Sequence, residues 1–487
     1  MQSSVIFDKK IFFNILFGLS VTELISLWNY VYFKESAVIF FLIIACYAVL
    51  CLKKLDWGLY LILAELFIGG KGYLFFLATG NFVISLRVAL FSIFLLIWFL
   101  KKIKNFGFTF SNYLKDTSIR ILLVLFMFIL YAFFNGYTNN SLKNVFLDFN
   151  AWLFFLLVFA FLDIFKERRV FNITLLLLFT TVITTAVKTA AVLFLFSHKI
   201  FTVGDIFYKW IRDTGVGEIT HIDQSLFRVF FQSHVYALIS AALILGFLFT
   251  KMQFKKNESV FFGAVLYFSL FILVAGQSRS FWLSGIISVI LMTIYSLISK
   301  KNFKALVFPI FLFIIIFSLG SLTALISGYP SGNIFLVRSK SLQAESSASS
   351  RKNQFLPLIK QIKKNPLLGS GFGTEVEYIS NDPRIRQKNP DGVYKTYAFE
   401  WGYLDMVVKL GFLGVGIFLL YLFFLFKESK HFFNDNVFLL PLIFSGFSLL
   451  VVHMVTPYLN HPLGIGFILL LSAYTFSLKT KTAISQK

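Results

Sequence analysis

Arg228 and Arg279 fall beside the ends of apolar segments, Arg351 lies in a long polar stretch, and Glu400 stands where that stretch turns apolar again. Guanidinium groups bind phosphate oxygens through paired hydrogen bonds and do not deprotonate. Three of them at one membrane boundary can hold a diphosphate head group whose lipid tail lies between helices. They would also stabilise the charge that develops as the diphosphate leaves. A half-buried carboxylate such as Glu400 suits a general base. Arg338, His234, Tyr403 and His461 are further candidates for holding the diphosphate or a sugar. Each has a plainer reading. Glu400 can pair with Lys395 or Lys409, Arg279 can be a snorkelling arginine at a helix end, and His453 and His461 can be packing histidines.

The polar stretch, 328–399, carries more than Arg338 and Arg351. Asn365-Pro366-Leu367-Leu368-Gly369-Ser370-Gly371-Phe372-Gly373 is a glycine-rich turn, able to bring backbone close to a ligand. Phe355, Leu358, Ile359 and Ile362 space as one apolar helical face, with Lys360, Lys363 and Lys364 opposite. That pattern predicts a short helix lying on the membrane surface as a lid, reached through a flexible connector at 346–350. Asp382-Pro383 marks a turn. Glu375-Val376-Glu377 is a weak metal candidate. There is no Asp-x-Asp pair, so the expected chemistry uses no metal and no cofactor.

The elements that must position these residues are membrane spans. The chain is 58% hydrophobic and 14% charged, with a mean hydropathy of +0.79, which excludes an ordinary soluble protein. No segment alternates like an outer-membrane strand. The fold class expected is an all-α polytopic membrane protein of about fourteen helices (twelve to fourteen). The segments are 11–33, 37–52, 56–80, 85–100, 118–135, 148–165, 170–197, 231–250, 258–277, 281–299, 303–327, 400–426, 437–455 and 458–477. The third is irregular at Gly69, Gly70 and Gly72. Segment 11–33 is too long, and lacks the small-residue site, for a cleaved signal.

Basic clusters such as Lys53-Lys54, Lys101-Lys102, Arg168-Arg169, Lys255-Lys256 and Lys300-Lys301 fall on every second break. That side is the cytoplasm by charge bias, and both termini lie there. The formal charge of +22 is thereby explained without nucleic acid. The opposite side receives the loops 198–230 and 328–399, within one membrane domain spanning 1–487. Glu23, Glu65 and Lys188 fall inside spans, where a structural ion pair or a wet cavity is the expected setting. Cys46 and Cys51, five apart in one span, read as packing residues.

Together these pieces resemble the O-antigen ligase and polymerase family of bacterial integral membrane glycosyltransferases. Ser278-Arg279-Ser280 looks like the family's Ser-Arg motif, and Arg351 through Gly373 like its long-loop signature. Arg228 to His234 resembles its upstream arginine segment. Ligases carry His-Asn, nine residues, then Gly-x-x-Gly. Here Glu400-Trp401 precedes Gly411-Phe412-Leu413-Gly414 at the same spacing. Glutamate in place of histidine points from ligase to polymerase.

The resemblance implies a polyprenyl-diphosphate-linked oligosaccharide donor and an acceptor glycolipid, in the bacterial cytoplasmic membrane with the site on its outer face. Membrane lipid, a chain-length regulator and a flippase are its further implied partners. The acceptor is another lipid-linked repeat for a polymerase and a lipid A-core sugar for a ligase. A different class, a lipid-linked oligosaccharide flippase or other transporter, also fits fourteen spans. Transporters commonly show related halves, and no internal repeat is visible here.

Overall fold

A backbone surrounded by hydrocarbon must satisfy its own hydrogen bonds, so apolar segments of this length become helices. The computed structural model describes residues 6–33, 36–79, 82–104, 113–250, 254–300, 308–329, 334–335, 346–433 and 436–485. Every one of the fourteen expected segments contains helix. Among the described residues, nine helices are long and apolar enough to cross a membrane. Three shorter apolar helices, Ala37–Lys53, His234–Phe247 and Leu439–His453, accompany them. The protein is a mostly helical, multi-pass membrane protein. Large apolar side chains on the outside of the bundle, such as Phe17 and Leu325, are 72% and 77% exposed. Such a belt is tolerated in lipid, not in water.

Among the described residues, three antiparallel strand pairs qualify the all-α expectation: Phe76–Thr79 with Phe82–Ser85, Gly217–Asp223 with Leu226–Phe231, and Val376–Ile379 with Val393–Thr396. The first overturns part of the expected segment 56–80. Its helix, Leu55–Ile68, stops because the chain turns at Gly69, Gly70 (φ +56°) and Gly72 (φ +93°). A Cβ at Gly70 would stand 2.5 Å from Gly215 O, and one at Gly72 would stand 2.8 Å from Arg87 Cβ. Segment 148–165 is likewise broken, into Leu142–Phe149, a 3-10 turn at Trp152–Leu157, and Val158–Ile164.

The charged groups sort to two ends of the bundle. At one end Lys102 and Lys166 pair with Asp163, and Lys479 with Asp116 and Glu428. At the other end the hairpins, the segment 198–233 and the long loop meet. There Lys71 N donates to Gly215 O, Asn140 Nδ2 to Phe372 O, and Tyr329 OH to Asp223 Oδ2. Lys188 pairs with Glu23, and Glu65 with Arg87. Cys51 is buried, whereas Cys46 is exposed on the outside of its helix and is not a packing residue.

The helix Ser346–Lys364 forms, but the apolar face expected for it is only partly buried, with Phe355 exposed and Ile359 half-buried. Ser350, Gln354, Leu358 and Ile362, four residues apart, are its buried stripe. That stripe faces protein, because the helix packs on Gly402–Lys430 and on the strand Val376–Ile379. Leu356, outside the expected face, is 74% exposed.

Candidate active site

The site is organised by a break in the helix Gly402–Lys430. Gly411 (φ +69°, ψ 176°) interrupts it, leaving two carbonyls and two amides without helical partners. The glycine-rich turn supplies all four. Ser370 N donates to Val408 O and Gly371 N to Lys409 O, while Phe412 N and Leu413 N donate to Pro366 O and Leu367 O. No water is needed, which is how broken backbone survives at membrane depth. Gly369, Gly371 and Gly373 all have positive φ. A Cβ at Gly371 would stand 2.4 Å from Gly136 N. The turn was expected to admit a ligand, but its glycines serve contact with helix backbone.

The insertion pins a buried charge cluster. Lys409 Nζ lies 2.6 Å from Asp148 Oδ1 and 2.7 Å from Asp405 Oδ1. Asp148 Oδ2 accepts from Gly373 N (2.9 Å), and Asp405 Oδ2 from Asn460 Nδ2 (2.6 Å). All three side chains are nearly sealed from solvent, so each charge depends on the others. None of the sequence motifs above contains Asp148 or Asp405. The cluster's signal was an Asp–Lys pair at i, i+4 inside a predicted span.

Glu400 precedes that helix by two residues and pairs with Arg351, Nε to Oε2, at 2.7 Å; both side chains are about one third exposed. Trp401 Nε1 donates to Arg351 O (2.9 Å), and Glu400 N to Gln354 Oε1 (3.2 Å). The helix Ser346–Lys364 is thereby fastened to the start of the next span. Neither plainer partner of Glu400 is used this way: Lys395 pairs with Glu375, and Lys409 with the aspartates. Glu375 also accepts from Asn144, so this supposed metal candidate is a fastening of the hairpin. A groove of about 1060 Å³ opens beside the pair, with Lys352, Phe355, Leu356, Ile379 and Trp401 in its walls.

The other arginines form a second group. Arg228 Nε donates to Gly276 O (3.1 Å), in the turn that leads to Arg279, the first residue of the helix Arg279–Lys300. The guanidinium of Arg228 lies 4.8 Å over the Phe230 ring. Within the turn Gln277 has φ +47°, and Ser278 and Ser280 hydroxyls are 3.1 Å apart. His234 is buried, 3.1 Å from Thr189 Oγ1. A Cβ at Gly276 would meet its Nδ1 at 2.9 Å, so His234 braces the turn from behind.

The segment 454–461 links this group to the helix Gly402–Lys430. Thr456 Oγ1 lies 3.2 Å from Ser280 Oγ, the Tyr458 ring 5.8 Å from Phe281, and Asn460 holds Asp405. His461 lines a cavity with the charge cluster, not the Arg351–Glu400 groove. Tyr403 donates to Leu450 O (3.0 Å) and meets His453 edge-on. The buried His453 accepts from Leu459 N, as a packing histidine would. Arg338 lies outside the described residues.

No curated protein matches the chain. One family model does, over 264–419, the stretch that carries Arg279, Arg351, Glu400, the glycine-rich turn, Lys409 and the Gly411 break. That model is described as O-antigen ligase; it covers less than half of the chain, and the likeness agrees with the resemblance to the O-antigen ligase and polymerase family.

Proposed function

We propose that the protein is a polymerase of lipid-linked polysaccharide repeat units, acting on the outer face of the bacterial cytoplasmic membrane. Fourteen spans with both termini cytoplasmic put the long loop outside. The donor is a glycan on polyprenyl diphosphate. Arg351, Arg279 and Arg228 hold the diphosphate, and the polyprenyl tail runs among the apolar helices. The acceptor sugar hydroxyl gives its proton to the Glu400 carboxylate and attacks the anomeric carbon. The new glycosidic C–O bond forms as the bond to the diphosphate breaks, and the electron pair leaves on the diphosphate. Arginine charge stabilises that leaving group. No metal, nucleotide sugar or other cofactor enters the reaction.

The observation that carries this reading is the Arg351–Glu400 contact at 2.7 Å. It brings a carboxylate and a guanidinium together beside a groove, which supports reading them as proton acceptor and phosphate binder. The second reading, a ligase moving finished glycan to lipid A-core, is favoured by the description of the matched family model.

Gel analysis of envelope glycan after deletion of the gene separates the two. Loss of a polymerase leaves single repeats, whereas loss of a ligase leaves full-length polymer on the carrier lipid. Single repeats are the expected result. If purified protein in vesicles moves lipid-linked sugars yet forms no glycosidic bond, the transferase reading fails and a transporter takes its place.

A further inference from the structure

A second cavity, of about 600 Å³, opens next to the buried Asp148–Lys409–Asp405 cluster. That is within the ~300–1,000 Å³ typical of small-molecule sites. Its walls come from parts of the chain far apart in sequence: the Gly69–Gly72 turn, the helix Leu86–Lys104, the broken segment near Asp148, residues 397–399 before the helix Gly402–Lys430, and 457–462. Among the described residues, three buried polar atoms here have no hydrogen-bond partner; one, Asp405 Oδ1, has its ion pair with Lys409, and two have none. Arg87 is 5% exposed and holds Glu65 through Nε (2.8 Å) and Nη2 (3.0 Å), leaving Nη1 unpartnered. Asn460 gives Nδ2 to Asp405 and leaves Oδ1 unpartnered. A buried donor and a buried acceptor left unmade each cost free energy that a ligand can recover.

The chemistry of the walls selects the ligand class. Arg87 is balanced by Glu65, and Lys409 stands between two carboxylates. A diphosphate would meet Asp148 and Asp405, and a cation would meet Lys409 and Arg87. Lipid would bury the unpartnered polar atoms. Tyr73, Phe91, Tyr397 and Phe399 add ring surface. A polyhydroxylated ring fits all of this, because each hydroxyl both donates and accepts and its apolar face can lie on an aromatic one. Burial raises the Tyr397 phenol, with Asp148 adding to it, so the hydroxyl stays protonated and able to donate.

We propose that this cavity is a saccharide subsite, holding one sugar of the lipid-linked glycan beside the reacting centre. The proposal rests on the polysaccharide reading above, but its test reads binding without turnover. The full-length protein in lipid nanodiscs is titrated with two probes: the oligosaccharide repeat freed from its lipid by mild acid, and the same repeat still on polyprenyl diphosphate. Two variants are compared with wild type. Ser92→Trp puts bulk into the cavity from an exposed helix position, and Asn460→Ala removes the unpartnered acceptor.

Both variants are expected to bind at least one probe tenfold or more weakly, with thermal midpoints showing that they remain folded. Weakening for the free oligosaccharide assigns the subsite to the acceptor sugar; weakening for the diphosphate-linked form alone assigns it to the donor sugar. Wild-type affinity for both probes in both folded variants overturns the proposal. A transporter would pass this assay and form no polymer. A transferase with a purely structural cavity would form polymer and fail it.

Discussion

At the scale of residues, the proposed chemistry rests on groups whose charge is held by a neighbour. Glu400 and Arg351 meet across about fifty residues of chain, at the junction of a loop helix and a span. Replacing Glu400 with Gln removes the proposed proton acceptor and keeps the shape; a general base contributes ~10²–10⁴-fold. Arg351→Ala and Arg279→Ala remove the proposed leaving-group stabilisation, where loss of one such donor costs ~10²–10³-fold. Each variant is expected to abolish long chains on an envelope-glycan gel while the protein remains inserted in the membrane. Normal chain-length ladders from all three would sink the assignment. The types of these residues were legible in sequence. The partner of Glu400 was not, because Lys395, Lys409 and Arg351 are all near enough in chain to compete, and only packing decides among them.

At the scale of elements, the long loop acts as a brace inside the bundle. Residues 366–371 exchange four backbone hydrogen bonds with the Gly411 break. This gives a physical reason for two motifs, far apart in sequence, to occur together: each supplies the hydrogen bonds the other lacks. The prediction concerns Gly371, whose φ is +84° and whose added Cβ would strike backbone at Gly136. Gly371→Ala combines backbone strain of ~1–3 kcal/mol with that clash. It should lower the thermal midpoint in detergent and speed protease cleavage within 365–373. Gly416→Ala, where an added Cβ meets nothing within 4 Å, should do neither. Equal behaviour of the two variants would refute the brace. Sequence alone marks 369–373 as a turn, but cannot say whether a ligand or a helix fills the space the glycines leave.

At the scale of the molecule, the two ends of the bundle differ in what they carry. One carries the Lys102–Asp163–Lys166 and Lys479–Asp116 pairs, and the other the loops, the arginines and the cavities. Charge bias assigns the first to the cytoplasm. In a protein with Cys46 and Cys51 replaced by Ser, Lys388→Cys and Lys430→Cys provide one exposed thiol on each expected side. In intact cells (spheroplasts if an outer membrane intervenes), a membrane-impermeant maleimide should label the first. It should label the second only after permeabilisation. Labelling of both from one side would overturn the proposed arrangement.

The sequence by itself determined the membrane class, the helical segments and the stretch in which chemistry concentrates, because hydropathy and backbone satisfaction in lipid act locally. It could not determine that segment 56–80 ends in a hairpin, or that the amphipathic helix packs on the helix Gly402–Lys430 and the strand Val376–Ile379. Nor could it show that Lys409 sits between Asp148 and Asp405. Those outcomes depend on which distant surfaces meet, and a buried charge finds its partner only in three dimensions. Arg351 and Glu400 were candidates from their types alone, and tertiary structure made them a pair.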